Sequence, residues 1–432
     1  MRQYPKYDIL ELENGLKIIT VPIEYINTLR ITFTINSGYY EENNKNIGVA
    51  HYLEHLIATT LREGRLATEI QNKGIFLSAN ASTGIFRTSY YVKGDAKYYK
   101  EIVNLMLNVY INKKIDKNIL AREKSAVLVE MLNKVSNKED FIDTVVIPLI
   151  LFGKKNKLSR DAKLHINNLK NLSYKMITEF MNTYYTPNRT IIIIAGKYPK
   201  NIVNMLSKKL SKLKNANNVI SRNIKLLEHD TGNFVFLNHN KDIYKIKILF
   251  TVCKDSDYLE KYQLYFLLKI LNGIGSKSIL FETLRSNNGL TYSPSVSLNT
   301  YKDYGILEFS FNTKYDLVIK LLLEFKEIIK RLKSKLLDQN YIDLALSNYS
   351  FGIKKIKDEI SPGIFSSYGS KIFDNSTINT PEEIYNKYHK NIKATDLRNI
   401  SKKMFTHERL SIIVLGKNNI NKKDINNVFY NI

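Results

Sequence analysis

The beginning of the chain shows the alternation of apolar and polar positions that is typical of β-strands. Residues 8–12 and 16–21 form two such runs, and the pair Asn14-Gly15 between them favours a hairpin turn. A third run, residues 28–36, ends at a Ser-Gly pair. The pattern therefore predicts three strands before the first helix.

The pattern changes at residues 48–57, a mostly apolar run that is typical of a buried helix. Positions four apart lie on one face of a helix, so His51 and His55 can point to the same place. Two neutral imidazoles at this spacing suit a zinc ion. Glu54 lies on or beside the same face, where its carboxylate could take a proton from a metal-bound water. The alternative is that two histidines and a glutamate share a helix face by chance.

Helical periodicity dominates residues 97–181, and a strand pattern follows at 190–195. The second half of the chain begins again with strand patterns, at residues 233–237 and 244–252, before a helix at 258–271. The order of strands and helices in the second half therefore resembles that at the start of the chain.

Two short segments indicate an internal repeat. Residues 188–197 and 408–417 each place an apolar strand after an arginine and before a Gly-Lys pair, 220 residues apart. This period predicts two copies of one α+β domain, with residues 1–217 as the first copy, 218–230 as a linker and 231–432 as the second. The second copy lacks the His-x-x-Glu-His spacing, so the sequence places a metal site only in the first.

With 432 residues, of which 44% are hydrophobic and 25% charged, the composition is that of an ordinary globular protein with two or more domains. The net charge is +24, but the basic residues are spread along the chain. Two mild clusters, at 208–214 and 326–335, fall on helical patterns, and we interpret them as solvated helix faces. We therefore expect no nucleic-acid binding, although a basic nucleic-acid-binding protein is an alternative that the charge alone leaves open.

Cys253 is the only cysteine, so no intrachain disulfide can form. No apolar run approaches the roughly 20 residues of a membrane-spanning helix, and the N-terminal residues show no signal or transit peptide. We expect a soluble protein in the cytoplasm. The abundance of Lys, Asn and Ile suits an AT-rich parasite, a bacterium or a large DNA virus, and the virion of such a virus is a second expected location.

A zinc ion held by two histidines needs a third protein ligand and an open position for water. Residues 120–132 form a helical pattern in which Glu123 and Glu130 are seven positions apart and share one face. One of these carboxylates could bind the metal while the other orients a ligand. The alternative is that both glutamates belong to the solvated face of an amphipathic helix.

The His-x-x-Glu-His pattern and the later pair of glutamates together resemble the pitrilysin-type inverzincin peptidases, the family that includes the mitochondrial processing peptidase. The resemblance implies one Zn²⁺ per chain, with Glu130 as the third ligand and Glu123 as its helper. It also implies two homologous domains, each a mostly antiparallel sheet with helices packed on one face.

Other segments resemble the same family in the same order along the chain. The stretch Asn80, Ala81, Ser82 and Thr83 resembles the edge strand to which the substrate backbone is added. Residues 273–293 resemble the family's glycine-rich loop, arginine helix and Gly-Leu-x-Tyr strand, which places Arg285 and Tyr292 opposite the zinc.

The resemblance implies a zinc-dependent endopeptidase that hydrolyses peptides or extended protein segments. Glu54 would act as the general base, Tyr292 would stabilise the oxyanion and Arg285 would hold the substrate. Chains of this length in the family work as pairs, so we expect a homodimer or heterodimer. The alternative is a catalytically inactive member of the family that acts as a scaffold or regulatory subunit.

Overall fold

The structure is a computed structural model that describes residues 2–113, 115, 117–159, 161–215, 222, 224–227, 233–418 and 420–429. The chain divides into two compact units, which we describe separately. Unit 1 comprises Met1–Arg222 and Glu359–Ile378, and unit 2 comprises Asn223–Asp358 and Asn379–Ile432. Most of the predicted linker, residues 218–230, lies outside the described residues, and the predicted domain boundaries stay predictions.

The described strands of unit 1 form one six-stranded sheet in the order β1-β2-β6-β3-β5-β4. They are β1 Asp8–Glu11, β2 Lys17–Pro22, β3 Thr28–Ile35, β4 Leu77–Thr83, β5 Thr88–Asp95 and β6 Thr190–Gly196. All neighbouring pairs are antiparallel except β2 and β6, which run parallel. The sheet therefore contains the three strands that the sequence predicts before the first helix.

The hairpin between β1 and β2 follows from its turn residues. Gly15 has a φ of +78°, a conformation that glycine adopts without steric cost. The side chain of Asn14 donates hydrogen bonds to the carbonyl oxygens of Leu210 and Leu213, at 2.8 and 3.0 Å. This turn therefore also satisfies carbonyl groups at the end of a later helix.

The helices of unit 1 bury one face of the sheet. They are α1 Val49–Glu63, α2 Arg65–Asn72, α3 Tyr99–Asn112, α4 Lys117–Ser136, α5 Lys138–Phe141, α6 Ile147–Phe152, α7 Ala162–Asn171, α8 Tyr174–Tyr184 and α9 Ile202–Leu210. Alternate residues of the central strand β6 point to opposite faces, and Ile192 and Ile194 pack in the core under these helices.

The other face of the sheet packs against residues 359–378, a segment that the sequence analysis places in the second domain. Ile191 and Ile193 of β6 share a core there with Phe365 and Tyr368, which are fully or almost fully buried. Ser367–Phe373, helix α13, belongs to this segment. Because both faces of β6 are covered, its seven residues are all buried.

Unit 2 repeats this sheet with one strand fewer among the described residues, in the order β7-β11-β8-β10-β9. Its strands are β7 Asn233–Asn238, β8 Ile243–Val252, β9 Ser295–Thr300, β10 Gly305–Lys314 and β11 Leu410–Gly416. Its helices are α10 Tyr258–Asn272, α11 Val318–Ser334, α12 Gln339–Asp358, α14 Pro381–Ile384, α15 Ala394–Met404 and α16 Lys422–Phe429.

The repeat extends to single hydrogen bonds. Strands β6 and β11 each lie between a parallel and an antiparallel neighbour. Arg189 before β6 donates to the carbonyl oxygen of Asn36, and Arg409 before β11 donates to that of Thr251, both at 3.0 Å. The prediction of two homologous α+β domains, each with a mostly antiparallel sheet, is confirmed.

Candidate metal centre

Helix α1 begins at a sharply defined N-terminus. Gly48 has a φ of +92°, and a Cβ atom there would lie 2.6 Å from Leu169, so the position requires glycine. The carboxylate of Glu42 accepts the N–H groups of Gly48 and Ala50 at 2.9 and 2.8 Å, and thus satisfies donors of the first turn. These contacts fix where α1 starts and so which residues share its faces.

His51 and His55 lie one turn apart on α1, with ring centroids separated by 4.7 Å. Both rings are partly exposed, whereas the neighbours Tyr52 and Leu53 are buried in the core. The hydroxyl of Tyr52 donates to the carbonyl oxygen of Leu120 on α4 at 2.6 Å, which ties the two helices together.

Helix α4 brings two carboxylates to the histidines. Val127, between Glu123 and Glu130 on the same helix, is fully buried, so this face of α4 points inward. The Oε2 atom of Glu130 lies 3.6 Å from His51 Nε2 and 3.2 Å from His55 Nε2. The structure thus brings together the three residues that the sequence analysis predicts as ligands.

These distances fit a tetrahedral zinc site. Ligand atoms at about 2.0–2.2 Å from a tetrahedral zinc ion lie roughly 3.3–3.6 Å from one another. The ligand atoms of His51, His55 and Glu130 all lie within 4.8 Å of one another, and two of the separations are 3.6 and 3.2 Å. A two-histidine, one-carboxylate set also leaves a fourth position for water.

Glu123 faces the other side of His55. Its Oε2 atom lies 3.6 Å from His55 Nδ1, and the residue is only 8% exposed. Arg122 donates to its second oxygen at 3.2 Å. A carboxylate on the nitrogen away from a metal can fix the orientation of the ring. The helper role of Glu123 stays a prediction.

Glu54 lies beside the candidate ligands but is more deeply buried than either histidine. Its Oε2 atom lies 3.8 Å from His51 Nε2 and accepts a hydrogen bond from the Thr83 hydroxyl at 3.4 Å. Burial raises the pKa of Glu54 above its usual value, and the negative charge of Glu130 raises the pKa further, while His55 opposes both effects. A carboxylate with a raised pKa suits proton transfer near neutral pH.

Lys134 is a residue of this centre that the sequence analysis missed. Its Nζ atom lies 2.6 Å from Glu130 Oε1, so the other oxygen, Oε2, faces the histidines. Partial burial would raise the pKa of Glu130, but the hydrogen bond from Lys134 and the charges of His51 and His55 outweigh it and lower that pKa. The four-residue spacing from Glu130 is the sequence signal that could have found it.

Strand β4 forms an edge of the sheet beside this centre. It pairs with β5, and Ser78, Asn80 and Ser82 alternate as exposed residues along it. Thr83 at its end reaches Glu54, so the edge leads to the candidate metal centre. The predicted docking residues 80–83 thus lie on the edge strand of the sheet, and their role stays a prediction.

A pocket of about 220 Å³ opens next to His51. Most of its wall is apolar, and Lys134, Asp143 and His165 also line it. The apolar residues of the wall include Ile85, Met131, Val145, Pro148, Phe152 and Leu158. The pocket lies entirely within unit 1.

Arg285 and Tyr292 belong to unit 2. Arg285 lies on a short helical turn, Phe281–Asn287, and its guanidinium is 4.3 Å from the centre of the Tyr292 ring. Tyr292 is 76% exposed and therefore open to contact with other groups. The roles predicted for both residues stay predictions.

Two family descriptions match the chain. The one described as Insulinase (Peptidase family M16) matches residues 17–150, which contain both helices of the metal centre. The one described as Peptidase M16 inactive domain matches residues 171–349. The chain belongs to peptidase family M16. In this M16 chain the segment matched as inactive lies largely in unit 2, which lacks the His-x-x-Glu-His pattern.

Relatives agree with this family, and a solved structure shares the fold. An uncharacterized zinc protease of Rickettsia felis is 25% identical, over 96% of this chain and 98% of its own length. The mitochondrial-processing peptidase subunit beta of Dictyostelium discoideum is 29% identical over 44% of this chain and 41% of its own. The crystal structure of a protease from Helicobacter pylori has a TM-score of 0.80 at 18% identity, covering 95% of this chain and 99% of that one.

Of the helices in the described part of the M16 chain, none combines the length and the apolar character needed to cross a membrane.

Proposed function

We propose that this M16 chain is a zinc-dependent endopeptidase that cleaves peptides or extended protein segments. One observation carries the proposal: the ligand atoms of His51, His55 and Glu130 converge within 4.8 Å, with the carboxylate of Glu54 beside them. The names of the relatives as zinc proteases support the choice of metal and reaction.

The roles of the side chains follow from their positions. When bound, zinc supplies a water with a pKa lowered to about 7 and polarises the scissile carbonyl. Glu54 accepts a proton from the attacking water and returns it to the leaving amine. Glu123 holds the ring of His55 in place, and Lys134 holds one oxygen of Glu130 so that the other faces the histidines.

We assign substrate binding to the edge of β4 and to the neighbouring pocket. An extended peptide added to β4 would pair through its main chain, and it would reach the metal centre at Thr83. The mostly apolar pocket beside His51 would take an apolar side chain near the scissile bond. Main-chain recognition suits unfolded segments because a folded surface offers no free strand.

In unit 2, we retain as part of the proposal that Tyr292 stabilises the oxyanion and Arg285 holds the substrate. We also propose that the chain works with a second chain, identical or different. One relative is named as a subunit, which supports a heteromeric assembly. The second candidate function is an inactive scaffold or regulatory subunit, favoured by the match of residues 171–349 to an inactive domain.

Zinc content and peptide cleavage, measured together, separate the two functions. We expect about one zinc per purified chain by elemental analysis, and zinc-dependent cleavage of a quenched-fluorescent peptide library. Glu54→Gln should keep the metal and lower kcat/KM by about 10²–10⁴-fold, the usual contribution of a general base. A chain without zinc, or one whose cleavage is unchanged in Glu54→Gln, contradicts the peptidase proposal.

A further inference from the structure

Arg222 is the residue at which the chain leaves unit 1, since unit 2 begins at Asn223. Its side chain is 13% exposed, and the guanidinium donates hydrogen bonds to three residues in two segments of unit 1. It contacts Glu41 Oε1 through Nε and Nη2 at 2.8 and 2.6 Å, Asn36 Oδ1 and O at 2.7 and 3.0 Å, and Phe86 O at 2.9 Å. This set uses the planar fork that distinguishes arginine from lysine.

The main partner of Arg222 is itself fully enclosed. The side chain of Glu41 has no exposed surface, and its second oxygen accepts the N–H of Gly38 at 2.7 Å. Gly38 fits tightly, because a Cβ atom there would lie 2.2 Å from the carbonyl oxygen of Gly84. Arg222 pairs with this buried carboxylate at 2.6 Å, and Arg87 and Arg189 also interact electrostatically with it. Without Arg222 the carboxylate would lose a directly paired counter-charge, so we expect the loop to rearrange.

The loop before α1, residues 36–48, is connected to the candidate metal centre in two ways. Its backbone pairs with the end of the β4–β5 hairpin, since Tyr39 N donates to Gly84 O at 3.0 Å and Tyr40 N donates to Ile85 O at 2.8 Å. The adjacent Thr83 donates to Glu54. The ring of Tyr39 also packs against that of His51, with centroids 6.5 Å apart.

The second connection passes through the next residue along the chain. Glu42 follows Glu41 directly and accepts the N–H groups of Gly48 and Ala50 at the start of α1. The position of the first turn of α1, and so of His51, depends on where this loop is held. Arg222 is therefore connected through this loop to both the helix of the histidines and the strand end that contacts Glu54.

We propose that Arg222 is a positioning residue of the metal centre, because its hydrogen bonds hold the loop before α1 against the end of the β4–β5 hairpin. Through this contact, the segment of chain that leaves unit 1 determines how well His51 and Glu54 are placed. The inference rests on the proposed function, because it assumes that the centre binds zinc.

The decisive measurement is the zinc affinity of folded Arg222→Gln, obtained by competition with a chromophoric chelator. Loss of a group that orients metal ligands typically weakens binding about 10–100-fold, and we expect the zinc Kd to rise by that factor. Arg222→Lys should not restore the affinity, because an ammonium group cannot match the fork.

Arg30→Gln is the matched control. Arg30 is another arginine of unit 1, stacked on the Tyr91 ring at 3.4 Å and bonded to Thr32 rather than to the loop before α1. We expect it to lower the Tm without changing the zinc Kd. If Arg222→Gln binds zinc within twofold of the wild type, or if Arg30→Gln weakens binding equally, the inference is wrong.

A milder variant covers the case in which Arg222→Gln does not fold. Asn36→Ala removes only the 2.7 Å contact at Oδ1, and we expect faster amide exchange at Gly48 and Ala50 together with a zinc Kd raised about threefold or more. Unchanged exchange and unchanged affinity would overturn the inference. If the wild type binds no zinc, the proposed function fails first, so the two failures are distinguishable.

Discussion

Each unit contains an equivalent pair of helices, α1 and α4 in unit 1 and α10 and α12 in unit 2, but the two pairs carry different side chains at equivalent positions. Counted from the first residue of each helix, His51, Glu54 and His55 of α1 correspond to Glu260, Gln263 and Leu264 of α10. Glu123 and Glu130 of α4 likewise correspond to Ala345 and Gly352 of α12, which is also 20 residues long. Ligand atoms converge in the first pair, whereas Leu264 and Ala345 are fully buried in the core of the second.

The comparison shows that the fold does not require the metal centre. Unit 2 keeps the strand order, the helix pair and even the arginine contact before its central strand, although it lacks all the candidate ligands. Apolar side chains of both helices, among them Leu264 and Ala345, pack in its core. The polar cluster of unit 1 is therefore not needed for packing, which favours a functional role for it.

We expect the largest effect when a candidate metal ligand of unit 1 is removed and compared with removal of the corresponding residue of unit 2. At zinc concentrations 1,000-fold above the Kd, binding should stabilise the wild type by about 4 kcal/mol. His51→Ala should abolish this zinc-dependent rise in Tm, measured by calorimetry. Glu260→Ala at the corresponding position of α10 should retain it. A zinc response that survives in His51→Ala would remove the asymmetry between the units.

A buried histidine of unit 2, His389, provides the next test. His389 is 1% exposed, packs on Tyr349 and contacts the carbonyl oxygen of Tyr262 at 3.1 Å. Burial lowers the pKa of His389 to about 4, against the hydrogen bond to Tyr262, which raises it. The imidazole therefore belongs to the core as a neutral group rather than to a metal site.

The sign of the pH effect follows from that lowered pKa. As the pH falls from 6.5 to about 4, the unfolded chain takes up a proton on His389 that the folded unit does not, so unit 2 loses stability, by up to about 3 kcal/mol. Denaturation of the protein at several pH values should show this loss, and His389→Gln should flatten it. A slope that persists in His389→Gln would assign the proton uptake to another group.

A third test asks whether unit 2 nevertheless contributes to the chemistry. If Tyr292 stabilises the oxyanion, Tyr292→Phe should lower kcat by about 10²-fold, the usual effect of losing one such donor. Tyr315→Phe, which removes the hydroxyl of another exposed tyrosine of unit 2, is the control. Equal activity of the two variants would limit the reaction to groups of unit 1.

The smallest expected effect concerns the two edge strands, β4 and β9. Substrate held mainly through its backbone should respond little to side chains, so Asn80→Ala should raise KM by only about twofold. Asn299→Ala, at an exposed position of β9, should leave KM unchanged. A tenfold or larger rise in Asn80→Ala would show that recognition depends on this side chain.

Local patterns in the sequence predicted much of the fold and part of the centre. The strands of the first hairpin, the helix of His51 and His55, and the repeat at residues 188–197 and 408–417 all depend on neighbouring residues. Periods of 2 and 3.6 residues reflect the geometry of single strands and helices, so these elements can be predicted without knowledge of the fold. The pairing of α1 with α4 came instead from the family resemblance.

Three features required long-range contacts that no local pattern encodes. The spacing of Lys134 and Glu130 is local, but the free oxygen of Glu130 faces the histidines only because α1 lies across from α4. Arg222 joins segments that are more than 130 residues from it in the chain. Residues 359–378 follow the helices of unit 2 yet cover the sheet of unit 1.

The sequence by itself determined the elements, their repetition and the spacing of His51, Glu54 and His55, because each is a property of a few adjacent residues. Only the tertiary structure decided which carboxylate oxygen faces the histidines, what holds the start of α1, and which sheet the 359–378 segment covers. Those outcomes depend on burial and charge pairing between distant segments, which arise only when the chain is folded.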